Sequence, residues 1–178
     1  MLEAFYKKEV VPKLKAELQR DNIMTIPRLS KIVVNTCISE AVQNVKVLEA
    51  AAGEMAQITG QKPSIRKAKK AISAFKLRAG IPIGCVVTLR KKKMYEFFNR
   101  LVNVALPRTR DFKGLPKRGF DGHGNYTLGI TEQIIFPEIS HEKLEKMWGM
   151  NVTIVTTAAT NEEGEKLLRA LGFPLRNN

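Results

Sequence analysis

The chain has 178 residues, 44% apolar and 26% charged, and its 30 Lys and Arg against 17 Asp and Glu give a net charge of +13. A chain of this length can bury roughly 70% of its unfolded surface, and the composition excludes a disordered, fibrous or disulfide-stapled protein. Its two cysteines, Cys37 and Cys85, lie far apart in no metal-ligand spacing and read as reduced thiols of a cytosolic protein.

No apolar run approaches the roughly 20 residues needed to span a bilayer, and the opening Met-Leu-Glu-Ala-Phe-Tyr-Lys-Lys has no apolar signal region. Neither secretion nor membrane insertion is expected. The charge is unevenly placed: the 41 residues between Glu54 and Glu96 contain no acid and eleven Lys and Arg. Residues 55–120 hold 17 basic and two acidic residues, whereas the rest of the chain has 13 and 15. A local patch of one sign implies a polyanionic partner.

In chain order, the first 20 residues read as helix with a break at Pro12, and Leu14 and Leu18 share a face. Leu29 to Thr36 reads as a strand with Ile32 and Val34 on one side and Lys31, Val33 and Asn35 on the other. Val45 to Thr59 carries Val47, Leu48, Ala51, Met55 and Ile58 at helical spacing, with Gly60 as the stop. Ser64 to Lys67 and Gly84 to Arg90 read as strands flanking a basic segment, which predicts a long hairpin, residues 62–90, with a charged tip.

Lys93 to Leu106 places Met94, Phe97, Phe98, Leu101 and Ala105 on one stripe of a helix that Pro107 terminates. Residues 107–125 have no periodicity and are rich in Gly and Pro, so a long ordered loop is expected there. Tyr126 to Ile130 and the β-branched run Val152 to Thr157 read as strands, and Thr160-x-x-Glu163 is a capping box opening a last helix that Gly172 and Pro174 stop. His141, following Ser140, reads as a residue at a helix N-terminus. These elements predict an α+β protein, a single domain over residues 1–178, with an antiparallel or mixed sheet and helices packed on one face.

Catalytic signals are weak. His123 and His141 lie in no nucleophile or metal motif, and Gly119-x-x-Gly122-x-Gly124 does not link a strand to a helix as a dinucleotide loop must. No cofactor, metal, small-molecule substrate or enzymatic activity is expected. A nucleotide-handling enzyme using Gly119 to Gly124 with His123, and a free-standing RNA chaperone, are the alternatives to a structural RNA-binding protein. The basic hairpin is the stronger signal, because a merely soluble surface interleaves both signs of charge. RNA fits better than DNA: no helix-turn-helix is legible, Phe75 sits among Lys69, Lys70, Lys76 and Arg78, and Asn35, Gln61 and Thr88 supply uncharged donors and acceptors beside strands. Phe75 is equally suited to stacking on a base or anchoring its own hairpin.

Gly60-Gln61-Lys62-Pro63, Arg66-Lys67-Ala68-Lys69-Lys70, Phe75-Lys76-Leu77-Arg78, Gly80-Ile81-Pro82-Ile83-Gly84, Val87-Thr88-Leu89-Arg90, Leu106-Pro107-Arg108, Arg110-Asp111-Phe112, Phe120-Asp121-Gly122-His123-Gly124-Asn125-Tyr126 and Phe136-Pro137-Glu138 stand in order along the chain. This series resembles the bacterial type of universal large-subunit ribosomal protein five over essentially the whole length. The resemblance implies a cytoplasmic, structural protein of the large ribosomal subunit that binds 5S ribosomal RNA and helps attach it to the central protuberance. It places Asn35, Gln61, Phe75 and Thr88 toward that RNA, and the charge segregation adds Lys62, Arg66, Lys67, Lys69, Lys70 and Arg90 as the cationic part of the same expected site. It also implies that the loop Ala71, Ile72, Ser73, Ala74, Lys76, Leu77, Arg78, Ala79 and Gly80 approaches P-site transfer RNA. Further implied partners are large-subunit ribosomal RNA, neighbouring 5S-binding ribosomal proteins and, across an intersubunit bridge, small-subunit protein thirteen. The chain departs from the family at Thr36-Cys37-Ile38-Ser39-Glu40-Ala41, where a glycine-containing stretch ending in Gly-Glu-Ala is usual, and at Ala71, Ala74 and Thr109.

Overall fold

The computed structural model describes residues 2–139 and 146–176, so the expectation for His141 lies outside the described residues. The strands are β1 (Leu29–Cys37), β2 (Ser64–Lys67), β3 (Pro82–Leu89), β4 (Tyr126–Ile130) and β5 (Met150–Thr156), in one sheet of order β2-β3-β1-β5-β4. With the helices described next, the expected α+β class holds. The chain forms two compact units, one within Met1–Ile32, Arg90–Leu128 and Thr153–Asn178, the other within Val33–Leu89 and Gly129–Val152. Among the described residues no helix is long and apolar enough to cross a membrane.

The first unit holds α1 (Leu2–Phe5), α2 (Val11–Glu17), α4 (Lys91–Arg100) and α5 (Asn161–Ala170). Its core gathers Leu14, Phe97, Phe98, Leu101, Leu167 and Leu168, all buried. Phe173 stacks on Phe98 at 5.8 Å and meets Tyr126 edge-on at 5.3 Å. Pro12 and Pro107, the two expected helix breakers, act in the same way. The residue before each donates its N–H five residues back, Val11 to Tyr6 and Leu106 to Leu101, which makes a π turn in front of Pro12 and of Pro107. A proline cannot donate to the carbonyl four residues back, and the widened turn re-registers the ladder around that lost bond. The helix expected over Lys93 to Leu106 therefore begins at Lys91, becomes a π turn at Leu101–Ala105, and runs through Pro107 as a 3-10 turn, Leu106–Arg108.

Residues 107–125 are tied down rather than free. The Leu115 N–H donates to the Pro174 carbonyl and the Arg176 N–H to the Leu115 carbonyl, both at 2.9 Å, while Arg176 Nε reaches the Lys113 and Gly114 carbonyls. The capping box of α5 is modified: Thr160 Oγ1 accepts from the Glu163 N–H at 3.4 Å, but the Glu163 carboxylate accepts from Ala159 rather than Thr160. Its other oxygen pairs with Arg20, whose guanidinium also holds the Thr25 carbonyl.

The second unit packs α3 (Val45–Thr59) on β3, with the Cys85 thiol 3.8 Å from the Met55 sulfur. The observed bounds of α3 match those expected, and Gly60 ends the helix at φ 65°, a left-handed conformation that costs glycine nothing. Gln133, fully buried, bonds the Trp148 N–H and the Lys146 carbonyl, and Glu54 accepts from the Trp148 indole at 2.8 Å. The buried amide and indole of that cluster are thereby partnered, as burial demands.

Candidate nucleic-acid interface

The alternation of burial along the strands defines two faces in the second unit. On β1 Val34 and Thr36 are buried while Val33 and Asn35 are half-buried, and on β3 Cys85, Val87 and Leu89 are buried while Val86 and Thr88 are half-buried. Helix α3 covers the Cys85 side, so Asn35, Val86 and Thr88 lie on the side it leaves open. Strand β2 pairs antiparallel with β3, Ser64 opposite Val86 and Arg66 opposite Gly84, which puts Ser64 and Arg66 on that same open face. Ser64 and Val86 escaped the sequence reading. Only the pairing register shows which side they take.

Gln61 joins this face from the end of α3. Thr59 Oγ1 is 2.7 Å from the Met55 carbonyl and 3.1 Å from the Gln61 carbonyl, which anchors the main chain past Gly60. The Gln61 side-chain amide then donates to the Thr88 carbonyl at 3.3 Å, so two of the predicted site residues are brought together. Gln61 and Lys62 are exposed.

The hairpin expected between β2 and β3 is present, and its tip is itself ordered. Ala68 N–H donates to the Ile81 carbonyl, and Gly80 N–H, at φ 88°, to the Ala68 carbonyl. Further out, Ile72 and Leu77 exchange two hydrogen bonds of 2.9 and 3.1 Å across the turn Ser73–Phe75, with Lys76 left-handed at φ 51°. Phe75 is 72% exposed, so it does not anchor its own hairpin and its ring is free to stack. Ala71, Ile72, Ser73, Ala74, Arg78 and Ala79 are exposed as well, and Leu77 is half-buried.

Lys62, Arg66, Lys67, Lys69, Lys70, Lys76 and Arg78 are all exposed, and among the described residues none is in a salt bridge. Cations left unneutralised on one hairpin repel one another and favour binding of a polyanion. Arg90 is exposed too, but it belongs to the other unit, where it caps α4 in extended conformation.

The glycine loop has a different role from a phosphate cradle. The Gly122 and Gly124 N–H groups both donate to the Asn161 side-chain oxygen, at 3.0 and 3.1 Å, and the His123 and Asn125 N–H groups to Asp121 Oδ1. The donors that a phosphate would need are already used inside the protein, and His123 is exposed. Among the described residues no group of three or more His, Cys, Asp or Glu could hold a metal ion.

The departures at Thr36 and Cys37 are absorbed by the strand. β1 continues through Cys37, Thr36 Oγ1 donates to the Gly149 carbonyl at 2.6 Å, and Ile38 N–H donates to the Ile83 carbonyl at 2.9 Å.

Two family models match the chain: ribosomal protein L5 over residues 22–78, and the C-terminus of the same ribosomal protein family over residues 82–175. The chain is 60% identical over 176 residues to a protein of Geotalea uraniireducens named large ribosomal subunit protein uL5, covering 99% of this chain and 98% of that one. It is 58% identical to the Geotalea daltonii protein of that name and 56% identical to that of Geobacter sulfurreducens, with the same coverage. An acid-free basic hairpin beside a half-open polar sheet face, and these matches along nearly the full length, lead to one conclusion: the chain belongs to the ribosomal protein L5 family.

Proposed function

We propose that the chain is a structural, non-enzymatic constituent of the large ribosomal subunit in the bacterial cytoplasm, and that it binds 5S ribosomal RNA and helps attach it to the central protuberance. The observation that carries this reading is the set of seven exposed, unpaired cations on the arm beside the open face of Asn35, Gln61 and Thr88. Cations there supply sequence-independent attraction, and the uncharged groups supply the short hydrogen bonds that 2′-hydroxyls and phosphate oxygens take. The tip from Ala71 to Gly80, closed by the paired Ile72 and Leu77 hydrogen bonds, is assigned to P-site transfer RNA, and the exposed Phe75 ring to 5S ribosomal RNA. Large-subunit ribosomal RNA, other 5S-binding proteins and small-subunit protein thirteen complete the proposed surroundings.

The test is binding and footprinting of the chain on purified 5S ribosomal RNA. Protection should be confined to one helix and its loop, and log affinity should fall with log salt at roughly −0.7 to −0.9 per phosphate engaged. An affinity indifferent to salt would overturn the reading. Gln61→Ala should weaken binding while leaving the melting temperature near that of the parent, because it removes one exposed hydrogen bond and no core volume.

A further inference from the structure

The main chain at Thr36 is locked on two sides. Its hydroxyl, on the buried face of β1, donates to the Gly149 carbonyl at 2.6 Å. Its own carbonyl oxygen lies so close to Gly84 of β3 that a Cβ added there would stand 2.5 Å away. Gly149 is confined in turn, since a Cβ on it would meet the Ile130 carbonyl at 2.9 Å. Thr36 is thus the point where β1 is clamped between a glycine of β3 and the residue that precedes β5.

Asn35 is the next residue back and faces the opposite way. Its side chain is half-buried on the open face, and among the described residues it has no hydrogen-bond partner of its own. No side-chain bond on the open face therefore orients Asn35. Its placement comes from the backbone, and the backbone is fixed one residue later by the Thr36 hydroxyl and by Gly84. In an extended chain successive side chains alternate sides, so any slip or rotation at position 36 re-aims position 35.

We infer that Thr36 is a positioning residue for RNA binding: its buried hydroxyl, held by Gly149, aims Asn35 at the RNA from the far side of the strand. This rests on the reading of Asn35 as an RNA contact.

Thr36→Val keeps the shape and removes the donor, Thr36→Ser keeps the donor, and Asn35→Ala removes the aimed group. Binding of each full-length variant to transcribed 5S ribosomal RNA is measured across a salt series, with hydrogen exchange of the free proteins alongside. The expected result is a loss of about three- to tenfold in affinity for Thr36→Val, the size of one lost hydrogen bond, with an unchanged salt slope. Thr36→Ser should bind like the parent, and the double variant Asn35→Ala, Thr36→Val no more weakly than Asn35→Ala alone. In the free protein Thr36→Val should speed exchange at the Asn35 and Cys37 amides. Additive losses, or a loss for Asn35→Ala with none for Thr36→Val, would overturn the inference while leaving the RNA site standing. Full affinity for Asn35→Ala would remove Asn35 from the site and the inference with it.

Discussion

A Cβ on Gly164, in the first turn of α5, would stand 2.6 Å from the carbonyl oxygen of Gly124 and 2.9 Å from its Cα. The helix and the glycine turn therefore meet backbone to backbone, and the Asn161 side chain closes the joint by accepting from Gly122 and Gly124. A helix glycine is ordinarily a weakness of about 1 kcal/mol relative to alanine. Here it is required by the close approach.

Gly164→Ala should accordingly destabilise the protein in spite of alanine's higher helix propensity. The overlap is with main chain and not with the end of a flexible side chain, so the expected loss is about 1–3 kcal/mol, the range of overpacked interiors. A thermal or urea melt checks it, and a midpoint equal to or above the parent's would show that the turn can withdraw without cost.

The two cysteines should react in sequence. Cys37 is exposed, whereas burial pushes the Cys85 thiol up to about 11 and covers it with Met55. Near pH 8 little Cys85 thiolate exists in the folded state, and the thiolate is the nucleophile. Treatment of the native protein with iodoacetamide should modify Cys37 alone, with Cys85 labelled only after unfolding. Peptide mapping decides it, and equal labelling of both thiols in the native protein would contradict the packing of α3 on β3.

Local signals were legible in the sequence where one residue type has one physical consequence. The stripe of Val47, Leu48, Ala51, Met55 and Ile58 before Gly60 defined α3 to the residue, and the β-branched run from Val152 secured β5. The acid-free stretch defined the basic arm. Non-local choices were out of reach. The Gly119 to Gly124 series offers the same glycines whether it cradles phosphate or docks on Asn161, and only the fold brings residue 161 to residue 122. Likewise Glu163 finds the Ala159 amide instead of that of Thr160 because Arg20, 143 positions away, holds its other oxygen. In the site, Ser64 and Val86 became visible only through the register of β2 on β3.

Strand β2 stands at an edge of the sheet with all four residues exposed, including Ile65 at 46%. An uncovered edge is a template for another copy, and cations are a common guard against such pairing. Arg66 and Lys67, together with the bulge between them, occupy that position here. The double variant Arg66→Thr, Lys67→Thr should therefore self-associate at concentrations where the parent is monomeric. Lys69→Thr, Lys70→Thr makes the same change of charge off the strand and should not. Sedimentation velocity separates the two, and equal behaviour would assign any association to net charge alone.

Acid should loosen the turn at Asp121 before it affects the core. The Asn125 side-chain amide donates to Asp121 Oδ2 at 2.7 Å, and with smaller help from the His123 and Asn125 main-chain N–H groups it holds the carboxyl below its ordinary 3.8 against a modest desolvation. A carboxyl whose folded value is depressed binds protons more readily in the unfolded chain. Its contribution is therefore complete above about pH 3.8 and is lost as pH falls below that toward the folded value. Asp121 is exposed, so solvent screens the effect and the change should be local. Hydrogen exchange at the His123 and Asn125 amides, corrected for the intrinsic pH dependence, should lose protection over that interval. Asp121→Asn should show no such transition, because its side chain does not titrate; the same acid-dependent opening in that variant would trace the loosening to another carboxyl.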